Sequence, residues 1–314
     1  MNNPDPKKVS IGDYFLPKNW IILLLLGLTR IISFLPFKAL LGLGSVLGSL
    51  LYLLPSSRKN IARRNIELCF PDLSEKEQDD LLRKHFASLG IGFLEVGMAR
   101  WKSNKSLKKI VKVEGIEHLN EAVQKDKGVI LMSAHFTLLE ITALIAREGI
   151  TENLPPLVGM YRVGSNPIIN RFFRTMRLKS VESLVTKFEI KGLIRALKDK
   201  KIVWYASDQS FAGKNAVEVD FFGQQASTTS AICRFVEMTG SPVLPYFAKR
   251  LENGKGYVLQ IYPEVDPDTS DPQKYMQNIY TVLEQHILQH PEQYYWVHRR
   301  FKNTATSKDP YNQS

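Results

Sequence analysis

The sequence has too little cysteine for a disulfide framework or a cysteine-built metal site. Its 314 residues hold two, Cys69 and Cys233, far apart and in unrelated surroundings, which suits a reducing compartment. The glycine-rich signatures of nucleotide chemistry are missing: there is neither a P-loop nor a dinucleotide fingerprint. No Gly-x-Ser-x-Gly elbow marks a hydrolase nucleophile. Internal repeats and low-complexity runs are absent, which excludes solenoids and disordered arrays. His286 and His290 stand four apart on a helical pattern, but no acid lies between them and no third ligand is apparent, so metal is not expected. Net negative charge is also lacking. The formal charge is +11, which calls for a polyanionic partner: nucleic acid, anionic lipid or an acidic protein. Without a recognisable nucleic-acid-binding motif, nucleic acid is the weakest of the three.

What is present begins with a core: 44% of residues are hydrophobic, enough to exclude disorder. Residues 1–18 are polar and carry no signal-peptide layout, so the segment after them is expected to be retained. From Trp20 to Leu54 the chain is apolar, broken by Arg30, Pro36 and Lys38, and its second half is rich in glycine (Gly42, Gly44, Gly48). Three arrangements fit: a tilted membrane helix, a shallow helical pair, or an interfacial anchor with Arg30 and Lys38 reaching for water. Basic residues flank both sides, with the denser cluster at Arg58, Lys59, Arg63 and Arg64. Residues 1–56 therefore read as an N-terminal membrane-anchoring segment, set apart from an α/β domain over 57–314.

Ser74 with Glu77 reads as a capping box opening a helix that runs to about Trp101. Its apolar face is Leu81, Leu82, Phe86, Leu89, Phe93 and Leu94. From Ile110 onward, strands and helices alternate. Ile110–Val113, Val129–Ser133, Leu157–Tyr161, Ile202–Ala206, Val243–Ala248 and Tyr257–Ile261 read as strands. Helices fall at about 117–125, 137–148, 167–177, 189–199 and 228–239, and Asn253-Gly254-Lys255-Gly256 joins the last two strands as a hairpin. Such alternation predicts an α/β fold with a largely parallel central sheet flanked by helices.

The chemistry centres on Val129–Ser133, an apolar strand followed by Ala134-His135-Phe136-Thr137 and then Glu140. His135 falls at a strand-to-helix junction, where open α/β sheets place their sites. Lying before the helix, it is in reach of Glu140; Thr137 and Glu140 also fit a capping box. Tyr161-Arg162 ends the next strand, with Asn166-Pro167 opening a helix, so Arg162 is aimed at the same sheet edge. Ile202–Ala206 likewise delivers Asp208 and Gln209 to a loop, where Asp208 can position a substrate or simply form an Asx turn. The aromatic and basic run from Pro291 to Lys302 is placed at a membrane interface, facing anionic headgroups.

Taken in order, these stretches resemble the late acyltransferases of lipid A biosynthesis, the lauroyl/myristoyl transferase family within the glycerolipid acyltransferase-like superfamily. His135-x4-Glu140 alone is a weak signal. The set also includes Tyr161-Arg162, Asn166-Pro167, Val203-Trp204-Tyr205-Ala206 with Asp208-Gln209, and Phe221-Phe222-Gly223 with Ala226, Thr228 and Thr229. Pro242–Pro245 and Pro291–Lys302 complete it, and the likeness covers nearly the whole chain. Val163-Gly164 stands where proline often follows Tyr-Arg in the family, and Ser207 replaces another expected proline.

The resemblance implies a glycerolipid acyltransferase-like fold and a bacterial inner-membrane enzyme whose active site faces the cytoplasm. It would move a fatty acyl chain from acyl carrier protein to a hydroxyl of a Kdo-lipid A precursor at an anionic membrane, with no metal and no bound cofactor. His135 would be the general base and Glu140 its orienting partner. Arg162 would bind the oxyanion or a phosphate, with Asn166 and Asp208 as further substrate-binding candidates. An acyl-enzyme on Ser133 is the alternative mechanism. Another glycolipid, such as a phosphatidylinositol mannoside, is the alternative acceptor. A non-catalytic lipid-binding or scaffold protein is the reading from a different class.

Overall fold

The computed structural model describes residues 9–102, 104–142, 154–186, 189–304 and 309–312. The chain opens with two apolar helices, α1 (Pro17–Ile32) and α2 (Phe37–Leu53), separated at Pro36. A third, α3 (Ser57–Cys69), is capped by Ser56, and the long α4 (Glu75–Trp101) by Ser74 with Glu77, as the spacing predicts. Of α4's predicted apolar face, Leu81, Leu82, Phe86 and Leu94 are buried, whereas Phe93 stays 54% exposed.

Helix α2 lies against α4 because glycine lets it. A Cβ at Gly48 would come 2.0 Å from the Phe86 carbonyl oxygen, and one at Gly90 would come 2.2 Å from that of Gly44. Small residues four apart on one helix thus allow backbone-to-backbone approach. The opposite face of α2, with Leu43, Val46 and Leu50, and the outer face of α1, with Trp20, Leu24 and Leu28, remain exposed. No single helix among the described residues is long and apolar enough to cross a membrane; α2 and α3 pass that test only as a pair bent by 95°. A bend of that size is no continuous span. The apolar segment is thus two helices separated at Pro36 and not one continuous helix.

After α5 (Asn104–Lys108), β1 (Val111–Glu114) and α6 (Ile116–Gln124), the sheet is built by β2 (Val129–Ser133), β3 (Leu157–Tyr161), β4 (Ser183–Thr186), β5 (Ile202–Ala206), β8 (Val243–Leu251) and β9 (Gly256–Ile261). Helices α7 (Pro167–Arg177), α8 (Ile190–Lys198), α9 (Ala231–Thr239) and α10 (Pro272–Gln289) flank it, and β6 (Ala216–Phe221) with β7 (Gln224–Thr229) forms a separate hairpin. The seven strands run in the order β1-β9-β8-β2-β5-β3-β4, parallel throughout except for the β8–β9 hairpin. The largely parallel α/β sheet is therefore present. Its central strand β2 is buried along its whole length, as an apolar run between parallel neighbours should be.

Several elements differ from the sequence reading. Strand β4 is a short, half-buried edge with no alternating pattern. The β6–β7 hairpin turns on Phe222 and Gly223, both at positive φ (54° and 72°). Phenylalanine is an unusual turn residue there; its ring is held against Phe70 and Trp296, so tertiary packing overrides local preference. Residues 228–229 consequently belong to β7, and the helix predicted from 228 starts at Ala231. The helix predicted over 137–148 is seen as helical at 139–142, and its remainder lies outside the described residues.

Candidate active site

The strand register assembles the site. Ser133 at the end of β2 pairs with Ala206 at the end of β5. Two residues beyond each strand, at the carboxyl edge of a parallel sheet, stand His135 and Asp208. His135 Nδ1 lies 2.6 Å from Asp208 Oδ1, and the His135 backbone N–H donates to Asp208 Oδ2 at 2.9 Å. Both carboxylate oxygens are thus spent on one residue, and Tyr294 adds its hydroxyl to Oδ2 at 3.2 Å. Asp208 is 2% exposed, while the His135 side chain keeps a quarter of its surface.

The sequence reading gave Glu140 the task of holding the imidazole. The structure corrects that contact: the carboxylate on Nδ1 is Asp208, and Glu140 is turned to Arg177 of α7. Arg177 Nε donates to Glu140 Oε2 at 3.0 Å and its Nη2 to Oε1, a two-pronged pairing. The reason is geometric. Residues 135 and 140 sit on either side of a helix start, whereas the β2–β5 register makes 135 and 208 direct neighbours. Nor does the local cap form, since the Glu140 oxygens are taken by Arg177 and Thr137 Oγ1 shares a hydrogen bond with Ser88 Oγ on α4 at 2.7 Å.

Electrostatics follow from this arrangement. Burial pushes the His135 pKa down, but the Asp208 carboxylate more than reverses it through charge and hydrogen bond, and Glu140 adds to the rise. The net pKa is above the ordinary histidine value. Burial likewise raises Asp208, yet His135 and Arg300 bring it below the usual carboxylate range. With Nδ1–H held by Asp208, Nε2 is the ring nitrogen left to act as acceptor.

His135, Glu140 and Arg177 stand at a cavity of about 190 Å³ shared with Arg162. Its walls are apolar: Leu157, Gly159, Leu184 and Trp204 from β3, β4 and β5, with Val181 from the loop between α7 and β4. Asn166, a predicted binding residue, does not line it. Its Oδ1 caps α7 by accepting from the Ile168 and Ile169 N–H groups, and its Nδ2 donates to Asn19. Ser133, the alternative nucleophile, is buried at the end of β2 and also absent from the lining.

The C-terminal run is placed differently from its sequence reading. Trp296, Arg300 and Phe301 are almost fully buried at the back of the site, while Tyr295 and Lys302 remain exposed. Thr137 N–H donates to the Gln293 carbonyl and Tyr295 N–H to that of His135, pinning the loop that carries His135. Burial lowers the His298 pKa to about 4, and its Nε2 accepts from the Ser210 N–H. Arg300 bonds the Ser227 carbonyl and the Tyr280 hydroxyl. A run this aromatic and basic suggests an interface by composition alone; only its pairing with residues 135–137 reveals the core role. Arg177 gave no signal beyond the three-residue spacing of Arg171, Arg174 and Arg177 on α7.

The family described as bacterial lipid A biosynthesis acyltransferase matches residues 12–303. Among curated relatives, an Escherichia coli lipid A biosynthesis lauroyltransferase is 34% identical over 288 residues, 91% of this chain and 92% of that protein. A Haemophilus influenzae lipid A biosynthesis acyltransferase is also 34% identical, covering 95% of both chains. An Escherichia coli lipid A biosynthesis palmitoleoyltransferase is 29% identical over 92% of this chain and 94% of that protein.

Proposed function

For a chain that belongs to the bacterial lipid A biosynthesis acyltransferases, we propose transfer of a fatty acyl group from acyl carrier protein to a hydroxyl of a Kdo-lipid A precursor, with His135 as general base. The observation that carries the base assignment is the Asp208–His135 hydrogen bond at the mouth of an apolar cavity. His135 Nε2 takes the proton of the acceptor hydroxyl as its oxygen attacks the thioester carbonyl. The tetrahedral intermediate then expels the phosphopantetheine thiolate, and the imidazolium returns the proton to it. Asp208 fixes the tautomer and stabilises the imidazolium. Arg162, exposed at the cavity rim, is the donor for the developing oxyanion or a substrate phosphate. Glu140 sets the position of Arg177 at the same rim and adds negative charge beside His135. The acidic carrier and the phosphorylated acceptor both suit a surface of charge +11 at the cytoplasmic face of the inner membrane. Acyl transfer from acyl-acyl carrier protein to the precursor in detergent, together with mass spectrometry of lipid A from cells with and without the chain, tests the reading. No transfer with either substrate would end it.

Because the base must start neutral, kcat/KM should rise with pH through a histidine pKa above the ordinary value and then level off. Asp208→Asn removes the charge that raises that pKa, so its residual activity should keep an acid limb displaced to lower pH. An unmoved limb would mean that another group titrates.

The cavity gives a second expectation. A Cβ at Gly159 would sit 3.2 Å from Leu184 Cδ2, so any side chain there fills the pocket from its floor. Gly159→Val should shift preference toward donors two carbons shorter, by roughly fifteen-fold at about 0.8 kcal/mol per methylene. Relative kcat/KM for C10, C12, C14 and C16 donors measures this; an unchanged profile would remove the cavity as the acyl site.

A further inference from the structure

We propose that a second pocket, between α1, the C-terminal end of α4 and α7, holds a phosphate group borne by a membrane lipid. The pocket encloses about 450 Å³ and is lined by Arg30, Arg100 and Arg171 with Trp101, Phe172 and Thr175. Arg100 stacks 4.3 Å above Trp101, and Arg30 lies 5.2 Å from the same ring, so two guanidinium groups share one indole. Lys179 joins them by donating its ammonium to the Arg100 carbonyl.

Among the described residues the cluster has no counter-ion. Arg63, Arg64, Arg83, Arg177 and Arg250 each pair with a carboxylate, yet among the described residues none of Arg30, Arg100, Arg171 and Lys179 forms a salt bridge. Asp13, just before α1, accepts from the Ser10 backbone N–H. Arg100 Nε is buried without a hydrogen-bond partner, a donor left open in the wall. Burial, then Arg100 and Arg30, push the Lys179 pKa down, the mark of like charges gathered in one place. Positive groups so arranged are completed by an anion with several acceptor oxygens, and planar guanidinium groups favour phosphate.

Position selects a lipid as the bearer. The pocket opens beside the exposed apolar face of α1, where Trp20, Leu24 and Leu28 meet solvent. Helix α7 carries Arg171 into this pocket and Arg177 into the acyl cavity. Six residues of helix separate them, about 9 Å along the axis. A phosphate held at Arg171 would therefore belong to a molecule able to reach His135. The inference rests on the acyl-transfer reading only for that reach.

The test uses the full chain and phosphatidylcholine vesicles with or without phosphatidic acid. R30Q/R171Q should lose roughly thirty-fold in affinity for the phosphatidic acid vesicles, at about 1 kcal/mol per basic residue. K191Q/K198Q, which removes the same charge from exposed positions on α8, should lose less than about twofold, since charge away from the contact is screened. Equal losses would reduce the effect to net charge and overturn the site, as would no loss in R30Q/R171Q; melting temperature confirms that both variants fold. With the acceptor glycolipid, a matching rise in KM at constant kcat assigns the phosphate to the acceptor. An unchanged KM with the vesicle defect retained assigns it to bulk anionic lipid. A preparation without transferase activity that still discriminates the vesicles would sink the acyl-transfer reading and leave this one standing.

Discussion

Asp208→Asn is expected to yield a folded protein whose kcat is lower by roughly three to four orders of magnitude. Asp208 does two jobs: one oxygen accepts from the His135 backbone N–H at 2.9 Å and the other faces Nδ1 at 2.6 Å. Asparagine has one oxygen and one amide nitrogen. If its oxygen keeps the backbone N–H, its NH₂ faces Nδ1 and forces the tautomer that protonates Nε2, which cannot then accept a proton. Loss of the negative charge also leaves the imidazolium unsupported. Glu140→Gln should cost far less, about tenfold, the order of one weakened charge-assisted hydrogen bond to Arg177. His135→Ala should be nearly dead, and adding Asp208→Asn to it should change little, because the two act as a unit. The measurement is kcat with the acyl carrier protein donor and melting temperature on the same preparations. A ranking with Glu140→Gln far below Asp208→Asn would return the orienting role to Glu140.

Why the sequence points to Glu140 and the fold to Asp208 is a matter of register. Strands β2, β3 and β5 coincide with the apolar runs that predict them, and each is followed by its polar cargo: His135, Arg162, Asp208. Periodicity therefore fixes which residues reach the carboxyl edge of the sheet. It does not fix which strands are neighbours. That β2 lies between β8 and β5 is a property of the whole sheet, carried by contacts 73 residues apart in the case of His135 and Asp208. Reasoning along the chain naturally prefers a partner five residues away. The C-terminal run shows the same limit: its aromatics and cations are visible, but only long-range pairing with residues 135–137 makes them the back of the site. Hairpin β6–β7 stayed hidden because β7, Gln224–Thr229, has no apolar alternation and its turn uses phenylalanine at positive φ.

The other large effect expected is on stability, at a buried ion pair between α4 and β8. Arg250 of β8 donates to both oxygens of Glu95 on α4 at 2.7 Å each, with neither side chain more than 6% exposed. Tyr257 donates to the same carboxylate at 2.7 Å, and Arg250 Nη1 reaches Ser88 at 3.0 Å. Ser88 in turn bonds Thr137, two residues from His135. Burial alone would lower the Arg250 pKa; Glu95 more than offsets it and keeps the guanidinium charged. Removing one partner strands the other charge in the core, so Arg250→Met should destabilise by about 3–5 kcal/mol. Glu95→Leu should do the same, against a total stability of roughly 5–15 kcal/mol. The double variant should be less damaged than the sum of the two, because no unpaired charge remains. Denaturant unfolding of all four proteins gives the coupling energy directly. If the singles each cost under about 1 kcal/mol, the pair is hydrated like a surface bridge and does not hold α4 to the sheet. A further variant probes positioning. Ser88→Ala keeps the Glu95 pairing but removes both the link to Thr137 and the acceptor for Arg250 Nη1, so it should lower kcat by a few-fold and cost about 1–3 kcal/mol of stability, the penalty of one buried donor left unpaired and less than breaking the ion pair.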